Sequence, residues 1–257
     1  PEILIPPSAG CPHDYVVSPA DLAKISSGRI LLLANGAGLD ESAVRAAKAA
    51  GGDVRVIDAS VGRTPVEGSC ERCDGAEGTA HVHSVNGHFF ASPEKARTIV
   101  RNIVEALIPC AATPEEAERI RRNGEEQDAS LAALAKSFRE ELAFAKDVAT
   151  AAQHNVFDCL FLDSGLRPPL SLAANPETPL SPAKLAELKR VFEEKNVRAF
   201  FTEPQSPEKI ANLLASESGV TRVRKLDPCA SGPDDPPAGF YEDVMKANLE
   251  TLKEALR

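Results

Sequence analysis

The chain has 257 residues, of which 43% are hydrophobic and 26% are charged, a balance typical of globular proteins. This length suits one large domain or two lobes of about 100–150 residues each. The net charge of -9 argues against nucleic acids and anionic membrane surfaces as partners. No apolar run is long enough to cross a bilayer, so we expect no membrane-spanning segment in this sequence.

Short apolar or β-branched runs alternate with longer helical stretches. Strands are predicted, in chain order, at Glu2–Ile5, Arg29–Ala34, Asp53–Ile57, Asp147–Ala151, Val197–Thr202 and Thr221–Leu226. Several helices are predicted to begin where serine precedes proline, because the hydroxyl caps the first turn and proline fits the first helical position. These pairs are Ser18-Pro19, Ser92-Pro93, Ser181-Pro182 and Ser206-Pro207. The alternation predicts an α/β fold with mainly parallel sheets.

One predicted helix is unusually long. From Pro114 to about Phe144 the chain has no proline and a single glycine, Gly124, and Thr113 with Glu116 forms a capping box at its start. Thirty helical residues would reach roughly 45 Å, which exceeds the width of a small lobe. The helix either breaks near Gly124 or connects two lobes as a strut, and we favour the strut.

Four side chains follow the ends of predicted strands. They are His13, His154, Glu203 and Asp227. Ligands of open α/β sheets bind beyond the carboxyl ends of the strands, and imidazoles with a carboxylate suit zinc. A further histidine, His88, lies just before the helix capped by Ser92. The alternative interpretation is that these are surface histidines and a helix-capping aspartate.

Several segments, taken in order, resemble the zinc and manganese solute-binding proteins of ABC transporters, the cluster A-I or zinc-importer family. The segments are Pro12–Tyr15, Asn35–Asp40, Gly87–Pro93, His154–Phe157, Thr202–Gln205, Leu226–Pro228 and Tyr241–Leu249. Each segment alone is a weak signal, whereas the whole series in the right order covers nearly the entire chain and is a strong one.

The resemblance implies a fold and a domain plan. The expected fold has two lobes, each with a small mainly parallel sheet, joined by one long helix. We place the N-terminal metal-binding lobe at residues 1–113, the linking helix at 114–145 and the C-terminal lobe at 146–257. We expect a monomer located in the periplasm or on the cell surface.

The resemblance also implies a ligand set and a function. His13, His88 and His154 correspond to the imidazole ligands and Asp227 to the fourth ligand, while Glu203 orients an imidazole or coordinates as an alternative ligand. Manganese members tend to have a carboxylate where this chain has His154, so the expected ion is zinc rather than manganese. The implied function is high-affinity zinc capture and delivery to an ABC permease, with no enzymatic activity.

One ligand segment departs from the family pattern. Family members usually have aspartate and proline before the second histidine, with a tryptophan after it. Here Asn86 and Gly87 precede His88, and the chain contains no tryptophan. The geometry around His88 is therefore the part of the site that the resemblance predicts least well.

The cysteines suggest two further features. Residues 66–86 have the composition of a flexible loop and contain Cys70, Cys73, His81 and His83, which can hold an accessory zinc ion. A disulfide between Cys70 and Cys73 or a plain polar loop is the alternative. Cys159 and Cys229 each follow a ligand segment, and we predict a disulfide between them; thiols near the metal are the alternative.

Two other functions fit the same residues. A zinc-dependent hydrolase needs an open coordination position and a base, which Glu203 would supply if Asp227 did not coordinate. A surface metal-binding adhesin or a metal-buffering protein would use the same site without a transporter.

Overall fold

The computed structural model describes residues 2–6, 15–51, 53–62, 86–172, 181–204, 209–220 and 222–257. In this part of the chain the α-helices are α1 (Pro19–Ile25), α2 (Glu41–Ala49), α3 (Pro93–Leu107), α4 (Pro114–Glu141), α5 (Asp158–Asp163), α6 (Pro182–Glu194), α7 (Lys209–Ser218) and α8 (Phe240–Leu256). The strands are β1 (Ile30–Ala34), β2 (Val54–Asp58), β3 (Thr150–Ala152), β4 (Leu170–Ser171), β5 (Ala199–Thr202) and β6 (Arg222–Lys225). Short 3-10 helices precede α3 and α5, at His88–Ala91 and Asn155–Phe157. This mixed α/β architecture with parallel sheets confirms the predicted fold class.

The first half of the chain contributes a small sheet. Within the described ranges it has two parallel strands, β1 and β2, paired from Ile30 opposite Val54 to Ala34 opposite Asp58. Both strands were predicted to within one residue. The predicted strand Glu2–Ile5 is wrong, because no described strand pairs with it. These residues instead line an apolar cavity of about 660 Å³ beside β1.

The second half contributes a larger parallel sheet with the strand order β4-β3-β5-β6 in the described ranges. Its side chains alternate between two cores. Ala152 and Phe201 pack on one face with α4, α5 and α8, while Phe200 packs on the other with α6 and α7. Both faces of the central strands β3 and β5 are buried, so their residues are mostly apolar, whereas the edge strand β6 carries Arg222, Arg224 and Lys225.

Helix α4 runs unbroken for 28 residues, about 42 Å at 1.5 Å per residue. The Thr113 hydroxyl accepts a hydrogen bond from the Glu116 amide, and the Glu116 carboxylate accepts one from Ala112 rather than from Thr113 as predicted. The helix packs along α3, and Leu134 and Phe138 near its end belong to the core beneath α8. It therefore contacts elements of both halves. No helix in the described ranges is long and apolar enough to cross a membrane.

Candidate metal centre

His88 opens the 3-10 helix that leads into α3. The turn is fixed by Ser92, whose hydroxyl caps α3 by accepting from the Lys95 amide and itself donates to Asp163 at 2.6 Å. The His88 ring is only 6% exposed. Its Nδ1 atom lies 2.9 Å from the Asn86 side-chain oxygen, which also accepts a hydrogen bond from the His88 amide at 2.9 Å. The donor and acceptor roles in this contact depend on the tautomer of the His88 ring.

His154 follows β3 and precedes the 3-10 helix Asn155–Phe157, where its extended backbone turns the chain into α5. Its ring is as deeply buried as that of His88. The Nδ1 atom lies 2.6 Å from Oε1 of Glu203, a carboxylate that is 2% exposed. The contact is short and buried, although its angles are not those of a hydrogen bond. Glu203 thereby orients the ring with Nε2 directed away from the carboxylate.

Strand adjacency explains why these two residues meet. β3 and β5 are neighbours, with Ala152 opposite Phe201, and the Gln153 amide donates to the Phe201 carbonyl. His154 and Glu203 each lie two residues beyond the paired residues Ala152 and Phe201. Asp227 lies just beyond the next strand, β6, whose pairing with β5 continues to the Leu226 amide on the Thr202 carbonyl. Three predicted site residues therefore share the carboxyl edge of one sheet, as expected.

The two histidines come together from opposite halves of the chain. Their ring centroids are 5.1 Å apart with an interplanar angle of 80°. Asn86 joins the two segments by donating to the Asn155 carbonyl at 2.8 Å. A partly buried ion pair between Lys95 and Asp163, at 3.1 Å, joins α3 to the end of α5. The contacts of Asn86 and of the Lys95–Asp163 ion pair thus bring the predicted second and third ligand segments into one buried site.

Asp227 is half-buried, and its backbone is clamped by the buried side chain of Asn248 in α8. The Asp227 amide donates to Asn248 Oδ1 at 2.9 Å, and Asn248 Nδ2 donates to the Asp227 carbonyl at 2.7 Å. Burial raises the pKa of Asp227, the negative charge of Glu203 raises it further, and a hydrogen bond from the Cys229 amide opposes them. A carboxylate in such surroundings gains stability from a nearby cation.

A second acidic group, Asp158 at the start of α5, also lies beneath the site. Burial raises the pKa of its carboxyl to about 6, against the opposing effects of a contact with Asn86 and the nearby His154. Sequence reasoning did not identify Asp158, Asn248 or Asp163 as parts of the site. Asp158 and Asp163 lie at the two ends of the short helix that follows His154, whereas Asn248 lies in the middle of α8, 21 residues after Asp227. Asn86 was noted only as a departure from the family pattern.

Several predicted residues lie outside the described part of the chain. They are His13, Cys70, Cys73, His81 and His83. Among the described residues, no three histidine, cysteine, aspartate or glutamate side chains are grouped closely enough to hold a metal ion. The described part of the site is thus a histidine pair with a carboxylate behind one ring, and the place of His13 in it stays a prediction.

The predicted disulfide between Cys159 and Cys229 is not formed. Cys159 is fully buried in α5, and Cys229 packs against the core beneath α8 from the loop after β6. The backbone of Cys229 is held in a left-handed conformation, with φ of 59°, while its amide donates to the Asp227 carboxylate. Both sulfurs serve as small apolar groups here, and burial raises the pKa of the Cys229 thiol to about 12.

The model of the ZnuA family, described as zinc-uptake complex component A, periplasmic, matches residues 1–255 of this chain. The chain belongs to the ZnuA family. Its relatives include the high-affinity zinc uptake system protein ZnuA of Bacillus subtilis, which is 31% identical over 99% of this chain and 80% of that protein. The zinc-binding lipoprotein AdcA of Streptococcus pneumoniae is 30% identical over 95% of this chain. The match covers 49% of the length of AdcA.

Solved structures support the ZnuA-family fold. The solute-binding protein FpvC of Pseudomonas aeruginosa, in complex with Mn²⁺, has a TM-score of 0.79 at 25% identity, over 95% of this chain and 86% of that one. A zinc-bound variant of AdcAII from Streptococcus pneumoniae has a TM-score of 0.79 at 24% identity, over 97% and 88% of the two chains. At 24% identity, the likeness to the AdcAII variant is evidence for the fold alone.

Proposed function

We propose that this ZnuA-family chain captures one zinc ion and delivers it to the permease of an ABC importer, in the periplasm or at the cell surface. The observation that carries the proposal is the buried pair of His88 and His154, contributed by distant segments with ring centroids 5.1 Å apart. The Nδ1 atom of each ring faces an oxygen, of Asn86 and Glu203 respectively. This arrangement presents both Nε2 atoms for coordination.

The proposed ligands are His13, His88, His154 and Asp227, with Glu203 as the group that orients His154. Three neutral imidazoles and one carboxylate form a donor set that favours zinc over manganese. The raised pKa of Asp227, due first to burial and then to the charge of Glu203, supports a cation beside these carboxylates. The names of the relatives ZnuA and AdcA support zinc as the cargo.

The proposed domain plan keeps the boundaries 1–113, 114–145 and 146–257. It is supported by one parallel sheet before α4 and one after it, with α4 in contact with both halves. We propose that the protein acts as a monomer. The hydrolase alternative is disfavoured because Glu203, its candidate base, is already occupied by His154 at 2.6 Å.

Elemental analysis and calorimetry of the purified protein test this function. We expect one tightly bound zinc per chain, and we expect His154→Ala to abolish that binding because it removes a central ligand. The double change His81→Ala and His83→Ala is the control, and it should leave the tight site intact while removing any accessory site. Absence of zinc binding, or a clear preference for manganese, would contradict the proposal.

A further inference from the structure

The side chain of Asn86 lies beside the histidine pair and contacts both ligand segments. It is 3% exposed and makes four contacts. Its oxygen accepts from the His88 amide at 2.9 Å and lies 2.9 Å from His88 Nδ1. Its nitrogen donates to the Asn155 carbonyl at 2.8 Å and lies 3.4 Å from the Asp158 carboxylate.

Two of these contacts determine which way the amide points. A backbone carbonyl only accepts, so the Asn86 nitrogen must face Asn155. A backbone N–H only donates, so the Asn86 oxygen must face His88. Neither argument depends on the state of the His88 ring. The oxygen that faces Nδ1 is therefore fixed independently, and it selects the imidazole tautomer that has its proton on Nδ1 and its lone pair on Nε2.

The same side chain also connects the two ligand segments. Asn86 is two residues before His88, and its partner Asn155 directly follows His154. One planar amide thus connects the backbones of both ligand segments across the junction between the two halves of the chain. Together with the Lys95–Asp163 ion pair, this connection holds the two rings with their centroids 5.1 Å apart.

An aspartate, which the family pattern has at this place, could not make these contacts here. Its second oxygen would face the Asn155 carbonyl and the Asp158 carboxylate, and acceptors that face each other in a buried site repel. The amide of Asn86 has the same shape as that side chain but accepts on one side and donates on the other. The departure from the family pattern at Asn86 is thus matched to its two acceptor neighbours.

We propose that Asn86 is a positioning residue of the metal centre, which holds His88 in its metal-binding tautomer and fixes its distance from His154. The inference deepens the proposed function and rests on it. Asn86 itself does not coordinate the ion in this proposal, because its oxygen is occupied by His88.

The first test uses the unmodified protein without metal. Nitrogen-15 NMR of histidine-labelled protein, at a pH where imidazoles are neutral, distinguishes the two ring tautomers, and the His88 signal is assigned by its loss in His88→Gln. We expect the proton on Nδ1. A His88 ring that has its proton mainly on Nε2 would overturn the proposal.

The second test compares Asn86→Ala with Asn102→Ala as a matched control. Asn102 in α3 donates to the Ala59 and Val61 carbonyls at 2.8 and 2.9 Å, outside the ligand segments. Competition with a chromophoric chelator should show a loss of zinc affinity of about 10–100-fold for Asn86→Ala, the usual effect of losing such a partner. Asn102→Ala should bind zinc nearly as well as the unmodified protein.

The two tests separate the possible failures. An Asn86→Ala protein that binds zinc normally would overturn the positioning role, and so would an equal loss of affinity in Asn102→Ala. If the unmodified protein binds no zinc, the proposed function fails. Comparing the His88 tautomer in the unmodified protein and in Asn86→Ala then still decides whether Asn86 controls His88.

Discussion

The orientation of the His154 ring depends on one short contact, 2.6 Å from Nδ1 to the Glu203 carboxylate. The carboxylate is buried and follows the strand next to the one that precedes His154, so its position is set by backbone pairing. A carboxylate in this place makes the imidazole a stronger ligand and holds its ring in one orientation. The contribution of Glu203 should therefore be measurable without any change in the number of bound ions.

We expect Glu203→Gln to bind one zinc ion with affinity lowered by about 10–100-fold, as for other partners of metal-binding histidines. The amide keeps the shape of the side chain but loses the charge beside His154. Calorimetry gives both the affinity and the stoichiometry. Glu242→Gln in α8, which makes the same change away from the histidines, is the control. Unchanged affinity in Glu203→Gln would refute the orienting role.

Asp158 gives a pH-dependent prediction at the same scale. Its pKa is raised to about 6 in the folded chain, mainly by burial, from an ordinary value of 3.8. Between these values the folded state binds more protons than the unfolded state, so the stability of the metal-free protein falls as pH rises through this window. Above it the ionised carboxylate costs at most about 3 kcal/mol, since one pKa unit corresponds to 1.36 kcal/mol.

Asp158→Asn should remove this penalty. Urea unfolding of the metal-free variant is expected to show higher stability than the unmodified protein at pH 7.5 and similar stability near pH 4. Asp234→Asn, in the exposed loop before α8, should show no such pH-dependent difference. A variant that is less stable at pH 7.5 would mean that the contact between Asn86 and the Asp158 carboxylate outweighs the cost of burial.

The long helix α4 gives a prediction at the scale of elements. A Cβ atom built on Gly124 would lie 2.4 Å from Cγ2 of Val104 in α3, so the glycine permits a close approach of the two helices. Sequence reasoning considered this glycine as a possible break, yet the helix continues through it. The residue is explained by packing between helices and does not mark a helix end.

We expect Gly124→Ala to destabilise the protein by about 1–3 kcal/mol through overpacking, although alanine by itself favours a helix by about 1 kcal/mol. Adding Val104→Ala should recover part of the loss, because it removes the methyl group that the new Cβ would meet. Urea unfolding of the two single variants and the double variant measures this coupling. A stabilised Gly124→Ala protein would show that the helices separate without cost.

The turns that present the ligand candidates are also built from local signals. Ser18 and Asp21 form a reciprocal capping box, and Ser92 caps α3. The start of α6 at Pro182 agrees with the Ser181-Pro182 pair, whereas Ser206-Pro207 lies outside the described residues. The two-residue strand β4 was not predicted, because it is too short to show a periodic pattern and follows two prolines.

At the scale of the whole molecule, contacts between protein groups join the two halves of the chain. The Lys95–Asp163 pair and the hydrogen bond from Tyr241 in α8 to the Phe90 carbonyl, at 2.9 Å, connect α3 and its preceding turn to the second half. Structural zinc sites, by contrast, often hold together domains that unfold without metal. A capture protein must be folded before its ion arrives, and these contacts provide that.

We therefore expect the metal-free protein to unfold cooperatively at a defined temperature and zinc to raise that temperature. A ligand that binds only the folded state adds about 2.7 kcal/mol at one hundred times its Kd. Calorimetric scans with zinc, with manganese and with a chelator test this, and zinc should give the larger shift. A chain that is unfolded in chelator would contradict the preformed site.

The sequence by itself determined the alternation of elements, the starts of α1, α3, α4 and α6, and the segments in which His88, His154, Glu203 and Asp227 lie. These features depend on nearby residues, through capping and periodicity, or on motifs that occur in a fixed order. The tertiary structure decided which groups meet. The strand order β4-β3-β5-β6 places Glu203 behind His154, and no local pattern encodes that order. The orientation of Asn86, the separate thiols of Cys159 and Cys229, and the role of Gly124 likewise depend on neighbours distant in the chain, because packing acts through space and not along the sequence.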